Sequence, residues 1–95
     1  MNQDAPNGAQ GQQRNNTRDK VRLVNSFFKT AGKKDVDNVM SEILLSDRQK
    51  NVFDMYYIRK LNAGFIADTL NVSYSVIKTE INSIRNKVYN SLYKD

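Results

Sequence analysis

Histidine and cysteine are both absent from the sequence. That removes the commonest general base, the commonest metal ligand, any thiolate nucleophile and any disulfide. Carboxylates are present, but no paired constellation, glycine-rich loop or metal-ligand spacing accompanies them, so neither an enzyme nor a cofactor or metal is expected. What remains is recognition chemistry. One set of hydrogen-bonding side chains runs through Ser73, Tyr74, Ser75, Lys78, Thr79, Asn82, Arg85 and Lys87. Hydroxyl, carboxamide, ammonium and guanidinium groups of this kind read polar edges and hold anions. Their spacing orders them. If Ile77, Ile81, Ile84 and Val88 are the buried stripe of a helix, the opposite direction holds Ser75, Thr79, Asn82 and Asn86, with Lys78, Arg85 and Tyr89 on its flanks.

Two elements must position that face. Ile66, Ala67 and Leu70 sit at helical spacing on a short helix, Ala63 to Leu70, for which Asn62 is a suitable N-cap and in which Gly64 is a weak helix former. Small Ala67 suits a close crossing. Asn71 can take the left-handed position that ends a helix, Val72 plugs the turn, and Ser73 caps a long helix from Tyr74 to about Leu92. An ordinary helical hairpin could be built this way. The same order of small residue, left-handed turn, apolar plug, cap and polar-faced helix is also the layout of a DNA-binding helix-turn-helix, here about residues 62–88. In that layout the first turns of the second helix enter the major groove, which makes Ser75, Lys78, Thr79 and Asn82 the candidates for base edges. Lys78 can donate to guanine O6/N7 and Asn82 can pair with adenine N6/N7. Ser73 and Tyr74, at the helix start, can hold a phosphate, as can Arg85 and Lys87 further along. Arg48 and Lys50, on the third helix of the chain, can clasp the backbone from one side. Glu80 is expected to pair with Lys87 or Lys78, or to reject wrong bases near a phosphate.

The rest of the chain predicts an all-α bundle of about five helices. Residues 1 to about 17 are rich in Asn, Gln and Gly, contain the only proline, Pro6, and read as a disordered tail whose end carries Arg14 and Arg18. Residues 18–95 form the domain. A first helix spans Asp19 to Ala31, with Asp19 as its cap, Val21, Val24, Phe27, Phe28 and Ala31 on one face, and Gly32 as its end. A second runs from Asp35 or Val36 to Leu44 with Val36, Val39, Met40, Ile43 and Leu44 inward and Asp35 and Asp37 in its first turn. Ser46-Asp47-Arg48-Gln49 reads as a capping box opening a third helix to about Lys60. There Val52, Phe53, Tyr56 and Tyr57 are core, the two tyrosine hydroxyls sit at its edge, and Met55 and Ile58 lie on the flanks. About 75 residues of folded protein is small, and Phe27, Phe28, Val88, Tyr89 and Leu92 carry much apolar surface. A homodimer or partner surface is expected there, unless the same residues complete the monomer's own core. The formal charge of +5, from 15 Lys+Arg against 10 Asp+Glu, favours an anionic partner. No apolar run is long enough for a bilayer and the N-terminus lacks the apolar centre of a signal peptide, so no membrane partner and a cytoplasmic location are expected.

The stretch Leu45 to Val88 resembles bacterial sigma-factor region four and the similar LuxR-type helix-turn-helix. The resemblance rests on Leu45-Ser46-Asp47-Arg48-Gln49, Val52-Phe53, Tyr57, Leu61, Ile66-Ala67, Leu70, Val72-Ser73, Ile77-Lys78-Thr79, Ile81 and Arg85, which fall on one pattern without gaps. Helix Val36 to Leu44 matches the helix that precedes the motif in sigma factors. The chain departs from the pattern at Asn71 and Lys60, where glycine is usual, and at Gly64-Phe65, where an acidic pair is usual. The resemblance implies double-stranded DNA as partner and a sequence-specific transcription regulator; its size suits, by analogy, a phage, plasmid or other mobile element. The competing implications are a sigma-like accessory factor that contacts RNA polymerase, and a protein-interaction or inhibitor module using the Phe27-Phe28 helix.

Overall fold

The computed structural model describes residues 17–93. Among them it contains five helices: α1 Thr17–Thr30, α2 Lys33–Glu42, α3 Asp47–Phe53, α4 Ala63–Leu70 and α5 Tyr74–Leu92. A π-helical turn, Asp54–Ile58, continues α3. The expected all-α bundle forms. The expected tail lies outside the described residues, except that Thr17 already opens α1, two residues before Asp19. Asp19 therefore sits in the first turn of α1, where it pairs with Arg22 at 3.5 Å.

Local chemistry sets the helix starts. Ser46 Oγ accepts from Gln49 N–H at 3.2 Å, and Gln49 Oε1 accepts from Ser46 N–H at 3.3 Å, which completes the capping box. Asn62 Oδ1 accepts from Phe65 N–H at 2.8 Å to start α4. Gly32 differs from expectation. It is extended, with φ −86° and ψ 176°, and its N–H donates to Asp35 Oδ2 at 3.1 Å, so it begins α2 instead of ending α1. Asp37, expected as a dipole partner, pairs with Lys33 one turn before it at 2.9 Å.

Helix α5 is the centre of the bundle and touches each of α1, α2, α3 and α4. It turns Ile77, Ile81, Ile84 and Val88 inward, all buried as expected. Val24 and Phe28 of α1, Val39 of α2, Val52 and Phe53 of α3 and Ile66 and Ala67 of α4 complete the interior. Phe28 stacks on Tyr57 at 4.7 Å and meets Phe53 edge-on at 5.6 Å. Phe28 and Val88 are thus interior side chains of one chain, and the expectation that they form a surface for a second copy is corrected. Phe27, Tyr89 and Leu92 pack at the margin of the core and stay half-buried.

Two stretches depart from simple helical periodicity. Helix α2 stops at Glu42, because Ile43 is extended, with φ −112° and ψ 154°. From there side chains alternate as on a strand. Leu44, expected in the core, points outward and is 86 % exposed, while Leu45 takes the inward place. The second departure is the π turn. Its wider winding buries Met55 together with Tyr57, leaves Tyr56 half-buried and turns Ile58 outward. The expected order, with both tyrosines inward and Met55 on a flank, assumed a continuous α-helix.

The π turn closes through a left-handed residue. Lys60 has φ 63°, and Leu61 N–H donates to the Met55 carbonyl at 2.9 Å. A residue with a Cβ pays about 1–2 kcal/mol for this conformation. Lys60→Gly is therefore expected to stabilise the domain by about 0.5–1 kcal/mol, after the extra chain entropy of glycine is subtracted. Denaturant unfolding of the two proteins at neutral pH measures it; an equal or lower midpoint for the variant would contradict the strain.

Candidate nucleic-acid interface

The turn between α4 and α5 is built by Asn71. It adopts φ 58° and ψ 46°. Val72 N–H donates to the Ala67 carbonyl at 3.1 Å and Asn71 N–H to the Asp68 carbonyl at 3.3 Å, the paired bonds of a Schellman closure. Ala67 is 4 % exposed at the crossing. Ser73 is extended, and its Oγ accepts from Val76 N–H at 3.2 Å. The chain therefore leaves one helix and enters the next within three residues, Asn71 to Ser73, and both helices are held by satisfied backbone groups.

With the inward stripe fixed, the outward face follows. Ser75, Lys78, Thr79, Asn82 and Asn86 are all exposed. Ser75 Oγ lies 3.2 Å from Ser73 Oγ. Lys78 Nζ stands over the ring of Tyr74, 5.9 Å from its centroid, and that tyrosine is itself exposed. The structure thus gathers Ser73, Tyr74, Ser75, Lys78, Thr79 and Asn82 at the front of α5. Lys50 is exposed on α3.

The other candidates have intramolecular partners. Lys87 Nζ donates to the Leu44 carbonyl at 2.7 Å and to Gln49 Oε1 at 3.0 Å. Arg48 pairs with Glu80 at 3.6 Å. Glu80 was expected to meet Lys87 or Lys78. It faces α3 instead and accepts from Gln49 Nε2 at 3.1 Å, because the inward turn of α5 carries it between the two helices. Gln49 is the joint of this group. Its oxygen accepts from Ser46 N–H and Lys87, and its nitrogen donates to Glu80 and to Ser83 Oγ at 3.1 Å, so all four positions of the buried carboxamide are used. In the sequence only its capping role is visible.

Arg85 has two contacts. Nη1 donates to Asn82 Oδ1 at 2.8 Å on the outer face. Nε is buried, the guanidinium lies close to the Tyr57 hydroxyl, and neither Nε nor that hydroxyl completes a well-formed hydrogen bond. The Tyr57 hydroxyl is thus inside the core, not at its edge. Burial pushes its pKa above the ordinary value, while the adjacent Arg85 charge pulls the other way. A raised tyrosine pKa means that the folded state keeps a proton that the unfolded chain loses above about pH 10. Stability from this group is complete below that pH and falls as pH rises through the folded value. Melting curves between pH 8 and 11 are expected to show that fall, and Tyr57→Phe is expected to make it shallower; an unchanged slope would contradict the assignment.

Sequence reading also missed Lys20. Its Nζ donates to Asn86 Oδ1 at 3.4 Å and stands over the Tyr89 ring at 5.3 Å, which brings α1 against the outer side of α5. No helix among the described residues is long and apolar enough to cross a membrane.

The left-handed turn, the tight crossing at Ala67 and the capped, polar-faced α5 define a helix-turn-helix domain. A family model described as "Putative helix-turn-helix protein, YlxM / p13 like" matches residues 36–94, and the chain belongs to that family. The match leaves α1 outside it. No curated protein and no solved structure matches the chain.

Proposed function

We propose that this chain binds duplex DNA as a sequence-specific regulator of transcription, with the first half of α5 in the major groove. The observation that supports this most is the division of α5 by the turn before it. Ile77, Ile81 and Ile84 are locked inward, so Ser75, Lys78, Thr79 and Asn82 present donors and acceptors on the exposed side of the helix. Arg48 and Lys87 are bound within the protein, so exposed Lys50 and Lys78 are the nearer sources of phosphate contacts. A homodimer through the ends of α1 and α5 would use Phe27, Tyr89, Leu92 and exposed Tyr93, since Phe28 and Val88 are interior.

Selection of bound sequences from random duplex DNA tests the reading, and a palindromic product would support a two-fold dimer. Binding is expected to weaken steeply with salt, with a slope matching roughly three to six phosphate contacts per subunit. Titrations at several salt concentrations measure it. No enrichment together with a flat salt response would reject duplex DNA and favour a protein partner such as RNA polymerase.

A further inference from the structure

We infer that Arg85 is a positioning residue for base reading: it fixes the carboxamide of Asn82 from behind, and is itself seated against Tyr57 of the core. The inference rests on the proposed DNA-binding reading and names what sets specificity within it.

The argument starts from donor and acceptor chemistry. A guanidinium has donors only, so the atom of Asn82 that meets Arg85 Nη1 at 2.8 Å has to be the oxygen. That bond selects one of the two amide orientations. It turns Nδ2 away from Arg85 and leaves Oδ1 with its second lone pair. The combination of one free acceptor position and a directed NH2 is what the adenine edge requires, with N7 accepting and N6 donating. An exposed asparagine without such a partner would have to select that orientation on binding, at a cost in rotamer freedom.

The seat of Arg85 is equally specific. Its Nε is buried and the guanidinium lies close to the Tyr57 hydroxyl, so it cannot swing out to a phosphate without leaving Tyr57. Tyr57 is held in turn by stacking on Phe28 at 4.7 Å and lies in the π turn, whose winding carries it inward. A line of contacts thus runs from the aromatic core through Arg85 to Asn82 on the outward face. This role differs from the phosphate contact that position alone suggests for Arg85.

The test compares wild type, Asn82→Ala, Arg85→Lys, Arg85→Ala and Tyr57→Phe. Each is assayed by selection from random duplex DNA and by salt-dependent titration on the selected and one unrelated duplex. Arg85→Lys keeps the charge but loses the planar fork. The expected result is that it loses about tenfold in preference at the same single base position as Asn82→Ala, with an unchanged salt slope. The double variant Asn82→Ala, Arg85→Lys should lose little more than either single variant alone. Tyr57→Phe, which keeps the ring, should weaken the same preference while the protein remains folded by thermal melting. If Arg85→Lys keeps the wild-type preference and Arg85→Ala weakens both duplexes alike with a slope lower by about one, Arg85 is a phosphate contact and the inference is overturned. Absence of any duplex selectivity in the wild type would instead overturn the DNA-binding reading itself.

Discussion

The double variant Lys78→Ala, Asn82→Ala should stay folded and lose about 2–6 kcal/mol of binding free energy on its preferred duplex, taking about 1–3 kcal/mol for each base contact. Both side chains are exposed on α5, and neither supports the core. The truncations remove the Lys78 contact with Tyr74 and the Arg85 bond to Asn82, both on the surface. A melting temperature within a few degrees of wild type is therefore expected, since such surface changes are usually worth about 0.5 kcal/mol or less. The two residues lie about one turn apart and can share a base step, so the double loss need not equal the sum of the single ones. Equilibrium titration on the selected duplex, with melting curves alongside, makes the comparison. A folded double variant with wild-type affinity and preference would show that the outward face of α5 is not the reading surface.

Ile81→Ala should have the opposite signature, a loss of fold. Ile81 is 2 % exposed and lies between Ile77 and Ile84 on the stripe that faces the other helices. Truncating a buried isoleucine costs about 2–5 kcal/mol, as transfer energy and residual cavity combine. A domain of this size has on the order of 5–10 kcal/mol in all, so one substitution can remove a large share of it. The melting temperature should fall by on the order of 10–30 °C. Below that temperature, affinity per folded molecule should be nearly unchanged. A loss below about 1 kcal/mol in denaturant unfolding would contradict a packed interior at this point.

The parts of the fold legible in the sequence are those fixed by neighbours along the chain. The bounds of α4 and α5 follow from Asn62, Asn71 and Ser73, each of which satisfies backbone groups within a few residues of itself. The outward face of α5 follows from its isoleucine spacing. What was not legible depends on distant partners or on a change of winding. Leu44 continues an apolar rhythm past a helix end that only the backbone at Ile43 reveals. Met55 and Tyr56 exchange places because five residues wind as a π turn, a choice their types do not announce. Glu80 and Lys87 had plausible partners one or two turns away. Both instead meet Gln49, about thirty to forty positions earlier in the chain. Arg85 was read from its place on the helix, whereas its guanidinium meets Tyr57 across the interior.

The packing of α5 against every other helix bears on how a chain of this design can change its target over generations. If α5 reads duplex DNA as proposed, the reading surface and the folding centre are opposite sides of one rod. Drift in binding preference is channelled to the outward positions 75, 78, 79, 82 and 86, where replacements leave the interior untouched. The inward positions, and the polar joint at Gln49 that sets the roll of α5 against α3, do not share that freedom. A lineage can therefore explore new binding sites by small lateral steps on a rigid support, whereas a change in how the helix lies in the groove would require several core positions to move together.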